Sequence, residues 1–214
     1  RLNKFWGFML VLGPASIFIV MTLFMNRSCE HKFEELDDYG AVQQFKFTDA
    51  SGKSRNSSEF EDEIILINTL QPTCPDSCAI LMWHLNQTIY QHIWKNKTKK
   101  RKKIRMLSFV TDGNGGPSSD LKTIEDALKD MTENYDPKLW ILASGDAKKI
   151  YDLKSNNVSL ISEENDYQEL MLLIDKKHHL RMVLSGKVEG QIRRMKQSIA
   201  LLHKQYDKQY SKER

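Results

Sequence analysis

Cysteine is scarce in this chain, three residues among 214. No two of them show the Cys-x-x-Cys spacing of the ordinary dithiol oxidoreductase, which argues against that reading. Ten glycines assemble no phosphate loop of the nucleotide-binding types. Their one cluster, Asp112-Gly113-Asn114-Gly115-Gly116-Pro117, reads as a loop between a strand and a helix. There is no internal repeat. Net charge is low at +4, and it is misleading. Lys95, Lys97, Lys99, Lys100, Arg101, Lys102, Lys103 and Arg105 outweigh it, so the rest of the chain is net acidic. Apart from Trp94 that run has no interleaved aromatics, which argues against nucleic acid and for a solvated loop or a contact with anionic lipid. A peroxidase would need a supporting cluster around one low-pKa thiol, and none is found.

What is present is Cys74-Pro75-Asp76-Ser77-Cys78, directly after the apolar run Ile64-Ile65-Leu66-Ile67-Asn68. The run reads as a buried strand, and Pro75 suits the first position of a helix. The cysteines therefore stand where a strand hands over to a helix. A thiol there meets unsatisfied backbone N–H groups and the positive end of the helix dipole, so its thiolate is favoured. Cys74 and Cys78 are four apart and share a helix face, placed to close a disulfide or clamp one soft ion. Two inert core cysteines are the plainer reading, but spacing, proline and upstream strand all agree on the reactive one.

The segment from Phe5 to Met25 is uncharged and mostly apolar. As a helix it reaches about 31 Å, the thickness of a bilayer core of about 30 Å. It is longer than the apolar region of a cleaved signal peptide and has no convincing cleavage site, so it reads as an uncleaved anchor. Gly13, Pro14 and Ser16 are tolerable in a membrane helix. Flanking charges are balanced and leave orientation open; a short head and a large tail fit a domain held outside the cytoplasm, where a cysteine pair can be oxidised and needs a thiol reductant. Cys29 is an odd juxtamembrane thiol in a poor lipidation context. The expected organisation is a head 1–4, an anchor 5–25, a tether 26–40, a domain 41–209 and a polar tail 210–214.

Within the domain, Gln44 to Thr48 alternates and Asp49 to Lys53 supplies a turn, which predicts a hairpin. Helical spacing marks Ala79 to Trp94, Leu121 to Met131, Ala147 to Leu153 and Val188 to about Tyr206; strands are expected at 104–110, 139–143, 170–175 and 180–185. Alternating α and β elements with a two-stranded finish predict an α/β fold, a thioredoxin-like mixed sheet flanked by helices and preceded by one transmembrane helix.

From about Val42 to about Gln209 the chain resembles the Sco (SenC/PrrC) family of membrane-anchored, thioredoxin-like proteins. The resemblance rests on Phe47-Thr48-Asp49 with Gly52-Lys53, on the strand Ile64 to Asn68 leading to Thr73-Cys74-Pro75-Asp76-Ser77-Cys78, and on Met106 to Thr111. Leu139-Trp140-Ile141-Leu142 with Gly145 and Ile150 and the closing hairpin and helix also match. It implies a metallochaperone that binds copper through Cys74 and Cys78, assists the copper-bearing subunit of cytochrome c oxidase, and stands on the periplasmic side of a bacterial inner membrane. Soft thiolates suit Cu(I). The alternative is a membrane-anchored thiol–disulfide oxidoreductase in which the same pair is the catalytic redox couple; an interaction module without metal or turnover is a third.

The chain departs from the family at the third copper ligand. Counting back from Leu173-Ile174-Asp175, the position of the family histidine is Tyr167. Ala79 and Thr111-Asp112-Gly113 depart too, where proline and an Asp-Pro pair are usual. His178 and His179 are expected at a turn roughly 20 Å from the thiols. His84 lies about 9 Å along the helix from Cys78. His31 could reach the domain only if the tether folds back, His92 belongs to the cysteine helix and His203 to the last one, leaving Tyr167, Asp166 or a partner's residue to complete the site.

Overall fold

The computed structural model describes residue 13 and residues 16–21, 35–72, 75–96, 103–112, 116–151, 154–155, 158–159 and 170–212, with the side chains of 75–78, 154–155, 158–159 and 210–212 excepted. The chain divides into two compact units, Arg1–Glu34 and Glu35–Arg214. In the first, Gly13 and residues 16–21 are helical, and the Ser16 hydroxyl donates to the Gly13 carbonyl. Among the described residues no helix is long and apolar enough to cross a membrane; most of the expected anchor lies outside them.

The second unit is built on one mixed sheet. Its elements are β1 (Lys46–Asp49), β2 (Ser54–Asn56), β3 (Ile64–Leu70), α1 (Pro75–Leu85), a π-turn (Asn86–Tyr90), α2 (Gln91–Asn96) and β4 (Ile104–Val110). They continue with α3 (Leu121–Met131), β5 (Trp140–Ser144), α4 (Ala147–Tyr151), the small pair β6 (Lys154–Ser155) and β7 (Val158–Ser159), then β8 (Leu170–Ile174), β9 (Leu180–Ser185) and α5 (Glu189–Lys212). Seven strands lie in the order β2-β1-β5-β4-β3-β8-β9. The central three are parallel, Leu66 opposite Met106 and Met106 opposite Trp140, and the outer pairs are antiparallel. This is the expected thioredoxin-like arrangement.

Both faces of β3 are buried, so it reads as a continuous apolar run rather than an alternating one. Ile64, Leu66 and Leu70 join a core with Met82, Leu85, Ile89, Leu128 and Ile199, under α1, α3 and α5. Ile65 and Ile67 join a second core with Phe47, Phe60, Phe109, Ile150 and Tyr151, under α4. The connections from β3 to β4 and from β4 to β5 move the same way along the sheet, and a right-handed crossover places their helices on one face. Gly52, at φ +81, closes the β1–β2 turn in a backbone conformation that side chains disfavour.

Helix and strand ends differ from the sequence expectation in three places. The cysteine helix runs from Pro75 through the π-turn to Asn96, not evenly from Ala79 to Trp94. The last helix continues to Lys212, through residues expected as a polar tail. Residues 35–40, expected as tether, are docked on the β8–β9 turn. There Tyr39 N–H donates to the Leu180 carbonyl at 3.0 Å, Leu180 N–H to Gly40 at 2.9 Å and Val42 N–H to His178 at 2.8 Å. Arg181 donates to the carbonyls of Asp37 at 2.8 Å and Leu36 at 2.5 Å.

Candidate dithiol site

β3 delivers the chain to the site. All seven of its residues are buried; Gln71 and Pro72 follow, and α1 starts at Pro75, the position expected of that proline. Cys78 stands fourth in α1, in the first turn. Its side chain, and Thr73 and Cys74 entirely, lie outside the described residues. The eleven-residue α1 points its N-terminal N–H groups and dipole at this junction, the setting that favours a thiolate.

The neighbouring strands bring further groups to the same end of the sheet. Thr111, just past β4, donates its N–H to the Leu70 carbonyl at 2.8 Å. It is fully buried, and its hydroxyl has no hydrogen-bond partner. Asp112 closes the glycine loop on itself: its N–H donates to the Gly116 carbonyl at 2.9 Å and its carboxylate accepts the Gly116 N–H at 2.7 Å. A Cβ on Gly116 would come to 3.0 Å from that carboxylate, so a side chain there would crowd it.

Below the junction the strands are pinned by a buried polar relay. Trp140 Nε1 donates to Ser108 Oγ at 2.8 Å, and Ser108 Oγ donates to Asn68 Oδ1 at 2.7 Å. Three parallel strands are thereby tied together six residues ahead of Cys74. Sequence reasoning took Asn68 as the end of an apolar run and missed the relay; a buried polar side chain inside such a run was the available signal, because it must find partners.

β8 runs antiparallel to β3, Ile65 opposite Ile174 and Ile67 opposite Leu172. It therefore starts at the end where β3 finishes, and the segment carrying Asp166 and Tyr167 leads into it there. Both residues lie outside the described set. By the same register His178 and His179 fall at the opposite end, as expected of turn residues. His178 sits at φ 60 with both ring nitrogens buried and unpaired. His179 Nδ1 lies 2.8 Å from Asp38, and this bond, with the Gly40 N–H, holds the Asp38 carboxyl below its usual range.

The other described histidines are also away from the junction. His84 is in the last turn of α1 with its ring 5.0 Å from that of Trp83. His92 is exposed on α2 and His203 is buried on α5. His31 lies outside the described residues. Among the described residues no three His, Cys, Asp or Glu side chains are grouped to hold a metal.

The basic run is divided by the fold. Residues 97–102 lie outside the description, but Arg105 belongs to β4 and serves the structure. It binds the buried Glu63 through two nitrogens, at 2.5 and 3.2 Å, and donates to the Lys138 carbonyl.

The SCO1/SenC family model matches residues 34–208. No curated protein matches the sequence. Among solved structures, a SCO1/SenC family lipoprotein from Bacillus anthracis is 19% identical with a TM-score of 0.52, covering 75% of this chain and 95% of that one. BsSco, described as a Sco-family cytochrome c oxidase assembly protein with a disulfide switch, is 17% identical with a TM-score of 0.55, covering 80% and 97%. Yeast Sco1 with copper bound is 14% identical with a TM-score of 0.50, covering 75% and 89%.

Proposed function

Because the chain belongs to the SCO1/SenC family, we propose that it is an assembly factor for the copper-bearing subunit of cytochrome c oxidase, working through the Cys74–Cys78 dithiol. The observation that supports this is the hand-over from a buried parallel strand to α1, which begins at Pro75 with Cys78 in its first turn. In this reading the two thiolates hold Cu(I) as cargo and release it to the client. The helix dipole favours the charged sulfurs, and soft thiolates suit Cu(I). Tyr167 stands at the family's histidine position, so the pair works without that imidazole. An anchor at 5–25 on the periplasmic face of a bacterial inner membrane would bring the domain to its client.

A second reading is favoured by a specific observation: none of the five described histidines lies at the thiol end. Here one thiolate attacks a client disulfide, forming a mixed disulfide and expelling a client thiolate that takes up a proton. The other cysteine then attacks the mixed bond, leaving the pair oxidised and the client reduced, and an external thiol reductant restores the pair.

Titration of the reduced chain with Cu(I) against a chromophoric competitor separates the two, in a Cys29→Ser background with Cys74→Ser and Cys78→Ser for comparison. Stoichiometric binding that either further substitution abolishes supports copper carriage; binding equal to that of the variants leaves the redox reading.

A further inference from the structure

At the end of the sheet where β3 and β4 begin, a cleft of about 650 Å³ lies between the β1–β2 turn, the single helical turn Ser57–Phe60 and the segment ahead of β5. That is the size of a small-molecule site, about 300–1,000 Å³. Its walls are held in place by bonds of their own. Asp49 Oδ1 accepts the N–H groups of Ser51 and Lys53 at 3.0 and 3.1 Å and fixes the β1–β2 turn. Asn56 and Glu59 cap Ser57–Phe60 reciprocally. In the third wall the Tyr135 hydroxyl donates to the Trp140 carbonyl at 3.1 Å, and the Tyr90 hydroxyl donates to the Asn134 carbonyl at 2.7 Å and accepts the Asp136 N–H at 2.8 Å. A cleft set in advance spends little binding energy on ordering itself.

The charges in the cleft are unevenly used. Glu63 is matched by Arg105 and Lys103, and Glu125 by Lys129 at 3.0 Å. Lys53 and Lys138 are exposed and make no ion pair among the described residues. Arg55 is the group best placed to use the cavity. Its side chain is only 20% exposed, its Nε donates to Glu59 at 2.9 Å, and its guanidinium carbon lies 5.0 Å from the centre of the Phe60 ring. A guanidinium has five N–H donors, and this one makes that single hydrogen bond; the Asp49 oxygen nearest Nη1 is 3.9 Å away, beyond hydrogen-bond reach. A planar fork, fixed in place and unsaturated, matches a carboxylate or a phosphate through two parallel bonds. We propose that the cleft binds a small molecule with an oxyanion head and an apolar body. The Arg55 fork grips the head, Lys53 and Lys138 supply the charge that offsets it, and the body lies against Tyr135 and Pro137. The site stands apart from the thiol chemistry and does not depend on it.

The test is titration of the reduced full chain, in detergent, with phenyl phosphate, followed by backbone amide shifts. Saturable shifts are expected at residues 50–59 and 135–142, with a dissociation constant of about 1 mM or tighter. Inorganic phosphate, which lacks the ring, is expected to bind about tenfold more weakly. Arg55→Lys keeps the charge and loses the fork, and is expected to weaken binding of phenyl phosphate about tenfold. Lys53→Gln with Lys138→Gln, both at exposed positions, is expected to weaken it about threefold and to leave urea stability unchanged. If Arg55→Lys does not fold, the double lysine variant decides alone. Shifts that never saturate, inorganic phosphate binding as tightly as phenyl phosphate, or variants that bind like the parent would each overturn the site.

Discussion

Glu63 is the most exacting single residue away from the thiols. Its carboxylate is almost wholly buried at the start of β3 and is held by Arg105 from β4, with Lys103 at 3.5 Å. Removing one partner of a buried pair leaves an uncompensated charge, at a cost of about 3–5 kcal/mol. Lys103 remains beside Glu63, so Arg105→Ala is expected to lower urea stability by less, about 1–3 kcal/mol, and a loss below about 1 kcal/mol would mean the pair is solvated like a surface bridge. Ser108 sits between two buried partners, so Ser108→Ala strands both Asn68 Oδ1 and Trp140 Nε1. The expected loss is about 1–3 kcal/mol. Neither role could be read from the sequence, where Arg105 closed a basic run and Ser108 was one polar residue in a strand. The hand-over from β3 to a helix starting at Pro75 could be read, because proline and preceding strand are local; partners across strands are not.

At the scale of elements, the docked segment before β1 is held by polar groups alone at several points. Arg181 spans it by bonding Leu36 and Asp37 on one side and Asp175, at 3.1 Å, on the other. Arg181→Ala is expected to speed amide exchange across residues 35–41 while leaving β3 and β4 protected. The segment should also loosen in acid. The hydrogen bond from His179 lowers the Asp38 pKa, and the bond from Arg55 lowers that of Glu59. A carboxyl depressed in the folded state contributes stability that is present above its unfolded pKa, about 3.9 for Asp and 4.3 for Glu, and is lost as pH falls through the folded value. Exchange at 35–41 should thus accelerate below about pH 4. Unchanged exchange there would remove Asp38 from the account. The strands were legible as elements because each is a compact apolar run. The docking of residues 35–40 was not, because Glu30 to Tyr39 is acidic and polar and its attachment is through backbone groups. The π-turn was equally hidden, since one extra residue per turn leaves the apolar spacing nearly unchanged.

For the whole molecule, four tyrosines tie stability to alkaline pH. Burial raises the phenols of Tyr90, Tyr135 and Tyr151, and burial with the Asp175 charge pushes Tyr206 up to about 12. A group with a raised folded pKa contributes stability that is complete below its unfolded value, about 10 for tyrosine, and is lost as pH rises toward the folded one. Loss of helical circular dichroism above about pH 10 should therefore coincide with phenolate absorbance. Phenolate from more than three of the seven tyrosines while the helices persist would mean these rings are open to solvent. The architecture was legible because α and β periods alternate along the chain and a right-handed crossover leaves few arrangements. The hand-over from β3 to α1 was legible for the same reason. The ligand set was not: counting back along the sequence puts Tyr167, outside the described residues, at the family's histidine position, and the described histidines lie elsewhere in the fold. The central claim is that two thiolates, without an imidazole, carry the cargo. X-ray absorption at the copper edge of the Cu(I)-loaded full chain, with Cys29→Ser, tests it directly. The account predicts two sulfur neighbours and no outer-shell imidazole scattering, with the sulfur signal lost in Cys74→Ser; imidazole scattering, or copper that keeps both sulfurs without Cys74, would contradict it.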